Sequence, residues 1–268
     1  TGQAARTGFD DHAQRLSWMT VTYCDRRGLW HDLATAQQLA LSAALRLGDR
    51  SGQARTHRNL GRAYNRLGQT GPALASLEQA AGLSASLGDR VGEARAHISL
   101  SVTHDNAGDL PKSLASSLRG LELAQSANEP ALIAMASNNV GYDYARLGEF
   151  TLALRYCRQA VDEHRRAGSS PSLEASTWDS LGYVHYRLGD FSQAIDSYQR
   201  ALALFSELGA SYLRAQTLDH LGDAHYAAGD AQAAYGTWEQ ALAGLEDLAH
   251  PDAGQVRAKL SRTFCRSD

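Results

Sequence analysis

Lysine is almost missing from this chain of 268 residues: Lys112 and Lys259 are the only two, and the rest of the basic charge is arginine. Neither lysine closes a Gly-rich loop before Ser or Thr, so nucleotide hydrolysis through a P-loop is excluded. Charge of one sign is also missing. Lys+Arg 26 against Asp+Glu 29 leaves −3, which gives no global pull toward nucleic acid or an anionic membrane, and direct nucleic-acid binding is not expected. Cys24, Cys157 and Cys265 are odd in number, far apart and outside any C-x-x-C spacing, which excludes a disulfide framework or a zinc site and makes a reducing cytoplasm the expected compartment. No apolar run approaches the roughly 18 residues needed to span a bilayer. The opening Thr1-Gly-Gln-Ala-Ala-Arg holds no apolar signal core. A start at Thr1 rather than methionine, before a first helical segment that lacks the later pattern, leads us to expect a portion of a longer polypeptide.

What is present is repetition. Leu60-Gly61 with Gly68 returns as Leu100-Ser101 with Gly108, Val140-Gly141 with Gly148, Leu181-Gly182 with Gly189 and Leu221-Gly222 with Gly229, at spacings of 40, 40, 41 and 40. Periods of this length mark stacked repeats. Five residues after each turn glycine stands a small residue (Ala73, Ser113, Ala153, Ala194, Ala234), and seven further on another (Ala80, Gly120, Ala160, Ala201, Ala241). Small residues at fixed places let helices pack closely.

The apolar positions between these marks follow helical spacing. Leu77, Cys157, Tyr198 and Trp238 fall four residues after the first small residue, on the same helix face. Pro72 and Pro111 fall in the first turn of second helices, and Pro130, Pro171 and Pro251 near the start of first helices, where a missing N–H costs little. Each unit therefore reads as a helix, a glycine turn and a second helix.

With Leu60, Gly61, Tyr64, Gly68, Ala73, Leu77 and Ala80, and again Trp178, Leu181, Gly182, Gly189, Ala194, Tyr198 and Ala201, the sequence resembles the tetratricopeptide repeat (TPR) family. It departs from that family in lacking the closing proline and in having 40-residue units, which longer helices and turns such as Leu47-Gly48-Asp49-Arg50 and Leu87-Gly88-Asp89-Arg90 explain. The resemblance implies an all-α fold, a right-handed superhelix of antiparallel helix pairs. We expect a single solenoid domain over 1–268: a degenerate first repeat at 1–51, five units over 52–250, and a capping helix and tail at 251–268. In the first of these Gly28 and Ala40 keep register, while Thr20 and Leu33 replace the usual Leu and Ala.

Ten histidines raise the question of metal or catalysis. His104, His185 and His225 occupy the repeat position of Tyr64 and Tyr144, so they are equivalents one unit apart and not a cluster, and Trp178 and Trp238 fall on core positions. No metal site, catalytic residue or cofactor is expected, because no nucleophile–base arrangement can be assembled.

The family resemblance implies that first helices line a concave groove. Its candidate residues are Arg55, Arg58, Asn59, Arg62, Asn65 and Arg66, then Arg95, Asp105 and Asn106, then Asn138, Asn139, Tyr142 and Arg146, then Asp179, Tyr183, Tyr186 and Arg187, and finally Asp219, His220, Asp223 and Tyr226. One end is basic and the other aromatic and acidic. Asn amides, Arg forks and Tyr rings suit an extended acidic protein or peptide segment, with Asn65, Asn106 and Asn139 holding its backbone; a groove filled by another domain of the same polypeptide, or a merely solvated face, would carry the same types. Ser99 stands where the carboxylate clamp of chaperone-binding relatives would need Asn, so a chaperone-tail receptor is not expected.

The Arg-rich, Lys-poor usage and the Leu-Gly-Asp-Arg turns resemble the C-terminal TPR sensor arrays of large actinobacterial antibiotic-regulatory (STAND-type) transcriptional regulators. That implies a non-catalytic sensor acting on an upstream NTPase domain. The alternative is a self-contained peptide-pheromone receptor of the quorum-sensing TPR type.

Overall fold

A computed structural model describes residues 10–168 and 170–264. The opening Thr1–Arg6 segment, Cys265 and the tail beyond it lie outside them. Thirteen helices follow one another among the described residues: α1 Asp10–Arg27, α2 Trp30–Leu47, α3 Arg50–Arg66, α4 Thr70–Ser86, α5 Arg90–Asn106, α6 Leu110–Ser126, α7 Pro130–Leu147, α8 Phe150–Ala167, α9 Pro171–Leu188, α10 Phe191–Glu207, α11 Ser211–Ala227, α12 Ala231–Asp247 and α13 Ala253–Phe264. Each packs antiparallel on the next, and the pairs stack into a right-handed superhelix with no strand among the described residues.

The turns follow from local chemistry. In Leu47-Gly48-Asp49-Arg50, Gly48 takes φ 66°, a left-handed conformation that ends α2, and the Asp49 carboxylate then accepts a 2.9 Å bond from Gly52 N at the start of α3. Asp89, Asp109, Asp190 and Asp230 cap α5, α6, α10 and α12 in the same way. Pro130 and Pro171 open α7 and α9.

Within each pair the helices cross where the first carries Gly and the second a large side chain. A Cβ on Gly182 would lie 2.6 Å from the Tyr198 ring, and one on Gly222 2.5 Å from the Trp238 ring. Both glycines are helical, so close approach and not backbone freedom requires them. The second unit solves the same problem differently: Ser101 replaces the glycine and Ser117 the large residue, and both serines are buried. The small residues predicted beside these contacts, from Ala73 and Ala80 to Ala234 and Ala241, are almost fully buried.

The stack does not stay open. Its first turn comes round to meet its last units, against the rule that a repeat touches only its neighbours. Trp30, at the start of α2 and 4% exposed, sits edge-on to Tyr212 of α11 at 5.5 Å and to His250 at 5.3 Å. Leu248 rests on Gly28, and the Arg66 guanidinium lies 4.5 Å above the Tyr212 ring. Burying a side chain the size of Trp30 stabilises by roughly 1.5–3 kcal/mol, and the ring pairs and the cation–π contact add to that. At the far end α13 buries Val256 against α12, and its Lys259 Nζ reaches Asp219 Oδ1 at 2.7 Å and Asp223 Oδ2 at 2.8 Å.

The crossing geometry predicts a non-additive pair. Gly182→Ser should cost about 1–3 kcal/mol in the native background, as overpacking does, and little once Tyr198→Ser has removed the ring, as in the second unit. Denaturant melts of the single and double variants measure this; equal costs in both backgrounds would mean the glycine does not make room for the ring.

Candidate functional site

The contact between the first turn and the last units narrows the groove into a partly open interior. Its main cavity, about 420 Å³, is walled by Arg58, Arg62, Asn65 and Arg66 of α3, Arg95, Ser99 and Val102 of α5, and Met135, Asn138 and Asn139 of α7. Ser172, Leu173 and Ser176 of α9 and Leu213 of α11 close it from the opposite side. Two smaller spaces, about 260 and 220 Å³, share Arg66 and Leu213 with it. A larger but open depression of about 720 Å³ runs along the outer face of α8, away from these residues.

The structure brings most of the predicted residues to this interior and pairs many of them internally. Arg62 reaches Asp25 of α1 at 2.8 Å, and Arg146 reaches Asp105 at 2.6 Å. Asn106 donates to Asn65 Oδ1 at 3.2 Å, and Asn139 donates to the Ile98 carbonyl at 3.2 Å and Ser101 Oγ at 3.0 Å. These asparagines thus link successive units and are engaged before any partner arrives. The Tyr142 and Tyr183 rings pack in a tilted pair at 5.1 Å, Arg187 donates to the Tyr183 hydroxyl at 2.7 Å, and Tyr186 packs near Phe191. Arg55 lies 4.2 Å over the Trp18 ring at the rim.

Two expectations need revision. Asn59 does not face the groove: it is 3% exposed between α2 and α3, donating to Gln37 Oε1 at 3.2 Å. The far end is not a free acidic surface either, because Lys259 spans Asp219 and Asp223, and His220 lies 3.2 Å from Asp179. Burial alone would lower the proton affinity of His220, but the carboxylates of Asp179, Asp219 and Asp223 outweigh it and raise the pKa.

Arg58 and Arg95 stand apart. Among the described residues neither guanidinium has an ion pair or side-chain hydrogen bond. Burial, with Arg62, Arg95 and Arg55 alongside and only Asp89 opposing, pushes the Arg58 pKa down to about 10, so the folded protein holds this charge at a cost.

One residue set escaped the sequence reading. Asp143 of α7, 3% exposed, lies between Ser113 Oγ and Ser117 Oγ, each 2.6 Å away. The same hydroxyls face the Ser101 and Leu114 carbonyls at 2.8 and 3.1 Å. Two hydroxyl protons meet four acceptors, so a proton on the carboxyl fills a gap. Burial accordingly raises the Asp143 pKa to about 6, opposed by the two serines and Arg146 and assisted by Asp105. The signal was the serine replacement at three core positions of one unit, which a carboxylate from the next unit answers. Cys157 is fully buried, its thiol pushed up to about 12, which makes it a packing group. Among the described residues no three His, Cys, Asp or Glu side chains converge as a metal site would require, and no helix is long and apolar enough to cross a membrane.

Comparison with known proteins agrees with this architecture. Tetratricopeptide repeat profiles match residues 132–207, 173–247 and 54–86, together more than half of the chain. The chain belongs to the tetratricopeptide repeat family. No curated protein matches it in sequence. Among solved structures, this TPR array is similar to BtubC from P. vanneervenii (20% identity, 87% of this chain and 92% of that one, TM-score 0.60). It is similar also to a Rap protein complexed with competence and sporulation factor (15%, 95% and 75%, TM-score 0.68). A third is a STAND protein with a tetratricopeptide repeat sensor from Pyrococcus horikoshii (15%, 95% and 44%, TM-score 0.59), so the array spans less than half of that protein. At these identities the likeness establishes the fold.

The Asp143 cluster makes the TPR array pH-sensitive with a definite sign. A folded pKa of about 6 lies above the ordinary 3.8, so the native state is the tighter proton binder and gains stability as pH falls through 6. Above that pH the ionised group costs roughly 3 kcal/mol. Asp143→Asn should therefore raise stability at neutral pH and flatten the pH dependence on either side of 6, which thermal melts at several pH values test; an unchanged profile would contradict a raised pKa.

Proposed function

We propose that this TPR array is a protein- or peptide-binding sensor domain of a larger transcriptional regulator, without catalysis of its own, and that its arginine-lined interior receives an acidic protein or peptide segment. The observation that carries this reading is the pair of guanidiniums, Arg58 and Arg95, that line the arginine-rich cavity without an ion pair. Evolution retains such a charge cluster against its cost in stability where an anion completes it. The similar STAND protein with a TPR sensor supports the regulatory context, in which an upstream NTPase domain of the same polypeptide is a second partner. A reducing cytoplasm fits the buried, unpaired Cys24 and Cys157.

A second reading, a self-contained peptide receptor, draws on the likeness to the Rap protein complexed with competence and sporulation factor. The native open reading frame separates the two: an upstream NTPase module favours the regulator, a short upstream helix-turn-helix the receptor.

The groove itself is tested by titrating a glutamate-rich synthetic peptide into the whole chain. Replacing Arg62 and Arg66 by Ala should weaken binding by about 1–3 kcal/mol per lost charged hydrogen bond, in a salt-dependent manner, while Arg165→Ala with Arg166→Ala on the outer face of α8 should do little. Equal affinities for the two double variants would place the partner outside the groove.

A further inference from the structure

The cavity charges say more about the ligand than its sign. Four arginines, Arg58, Arg62, Arg66 and Arg95, line the cavity; Asp25 pairs with Arg62 and Asp89 acts on Arg58 without an ion pair, so an excess of about two positive charges remains. One carboxylate would leave half of that uncompensated. A phosphate monoester carries about −1.5 to −2 at neutral pH, which matches the charge, and presents three acceptor oxygens to the guanidinium forks. The residue type agrees: all four cations are arginines, whose planar forks bind phosphate oxygens bidentately. The volume, about 420 Å³, lies in the range of small-ligand pockets.

We infer that the cavity between α3, α5, α7 and α9 binds a phosphate monoester through Arg58 and Arg95, with Arg62 as the third fork. The phosphate is carried either by a small molecule or by a phosphorylated side chain of the peptide partner. This deepens the groove reading and rests on it, since the same interior is used.

The inference makes an unusual demand on stability. Because Arg58 and Arg95 repel each other without a ligand, neutralising either should stabilise the unliganded chain while weakening the ligand, a pairing that a structural role would not produce. The test is calorimetric titration and thermal melting of the whole chain with inorganic phosphate, O-phosphoserine, a phosphoserine peptide and its glutamate counterpart. O-phosphoserine and inorganic phosphate should bind and raise the Tm. Arg58→Gln and Arg95→Gln should each weaken O-phosphoserine by about tenfold or more and raise the unliganded Tm, and Arg165→Gln should change neither. Tighter binding of the phosphopeptide than of free O-phosphoserine assigns the phosphate to a peptide, and the reverse order assigns it to a small molecule; both orders support the inference. If no phosphate probe binds, or binding survives both substitutions, the inference is overturned. Should the glutamate peptide alone bind and depend on Arg62 and Arg66, the groove reading stands while the phosphate assignment falls.

Discussion

The contact on which the rest of the molecule depends is the close crossing of the two helices in each unit. Where Gly182 meets the Tyr198 ring and Gly222 the Trp238 ring, the first helix contributes no side chain, so the ring of the second rests directly on its backbone and the pair adopts one interaxial arrangement. Repeated at constant spacing, that arrangement fixes the rotation from unit to unit, and superhelical curvature is the sum of those small rotations. Here the sum is large enough to carry the first turn of the chain back onto the fifth regular unit, where Trp30 finds Tyr212 and His250. A change at a crossing glycine therefore acts twice, locally through packing and at a distance through the alignment of the closing contact.

Closure also decides what the inner face can be. An open superhelix presents its first helices to solvent, where polar residues need no partners. In the closed ring unit-to-unit pairs appear on this face: Asn65 with Asn106, Asp105 with Arg146, Asp179 with His220, Asp219 with Lys259. Each joins residues about one repeat apart and reinforces the stack. Two places are left unresolved by this scheme. One is Asp143, whose buried carboxyl relies on serine hydroxyls; the other is the Arg58–Arg95 pair, which makes no ion pair. The first is satisfied by a proton and the second by an anion from outside, so these are the points where the array responds to its surroundings.

The fold was legible in the sequence because its determinants are local and periodic. The turn glycines and the paired Gly and large residues repeat at 40 or 41, and helical spacing separates them. The inner-face register was legible as far as Arg58, Arg62, Asn65, Arg66 and Arg95, which do line the cavity. Asn59 was misplaced because the position rule assumes a regular preceding unit, whereas Gln37 of the degenerate first unit draws the amide inward. The cavity's closure was not legible at all. Trp30 and Tyr212 are far apart in the chain, and their meeting depends on the accumulated rotation of every unit between them, which no local pattern encodes. Lys259, one of two lysines, falls within the expected capping helix, and only its distance to Asp219 and Asp223 reveals that it neutralises the acidic end.

The claim that joins these observations is that the array is a closed ring in solution. Small-angle X-ray scattering of the whole chain tests it most directly, with Trp30→Ala as the comparison. The account predicts that the native chain gives the compact scattering curve of the closed structure and that the variant, still helical by circular dichroism, gives a larger radius of gyration as the ends part. An extended native curve, or identical curves for the two proteins, would contradict it.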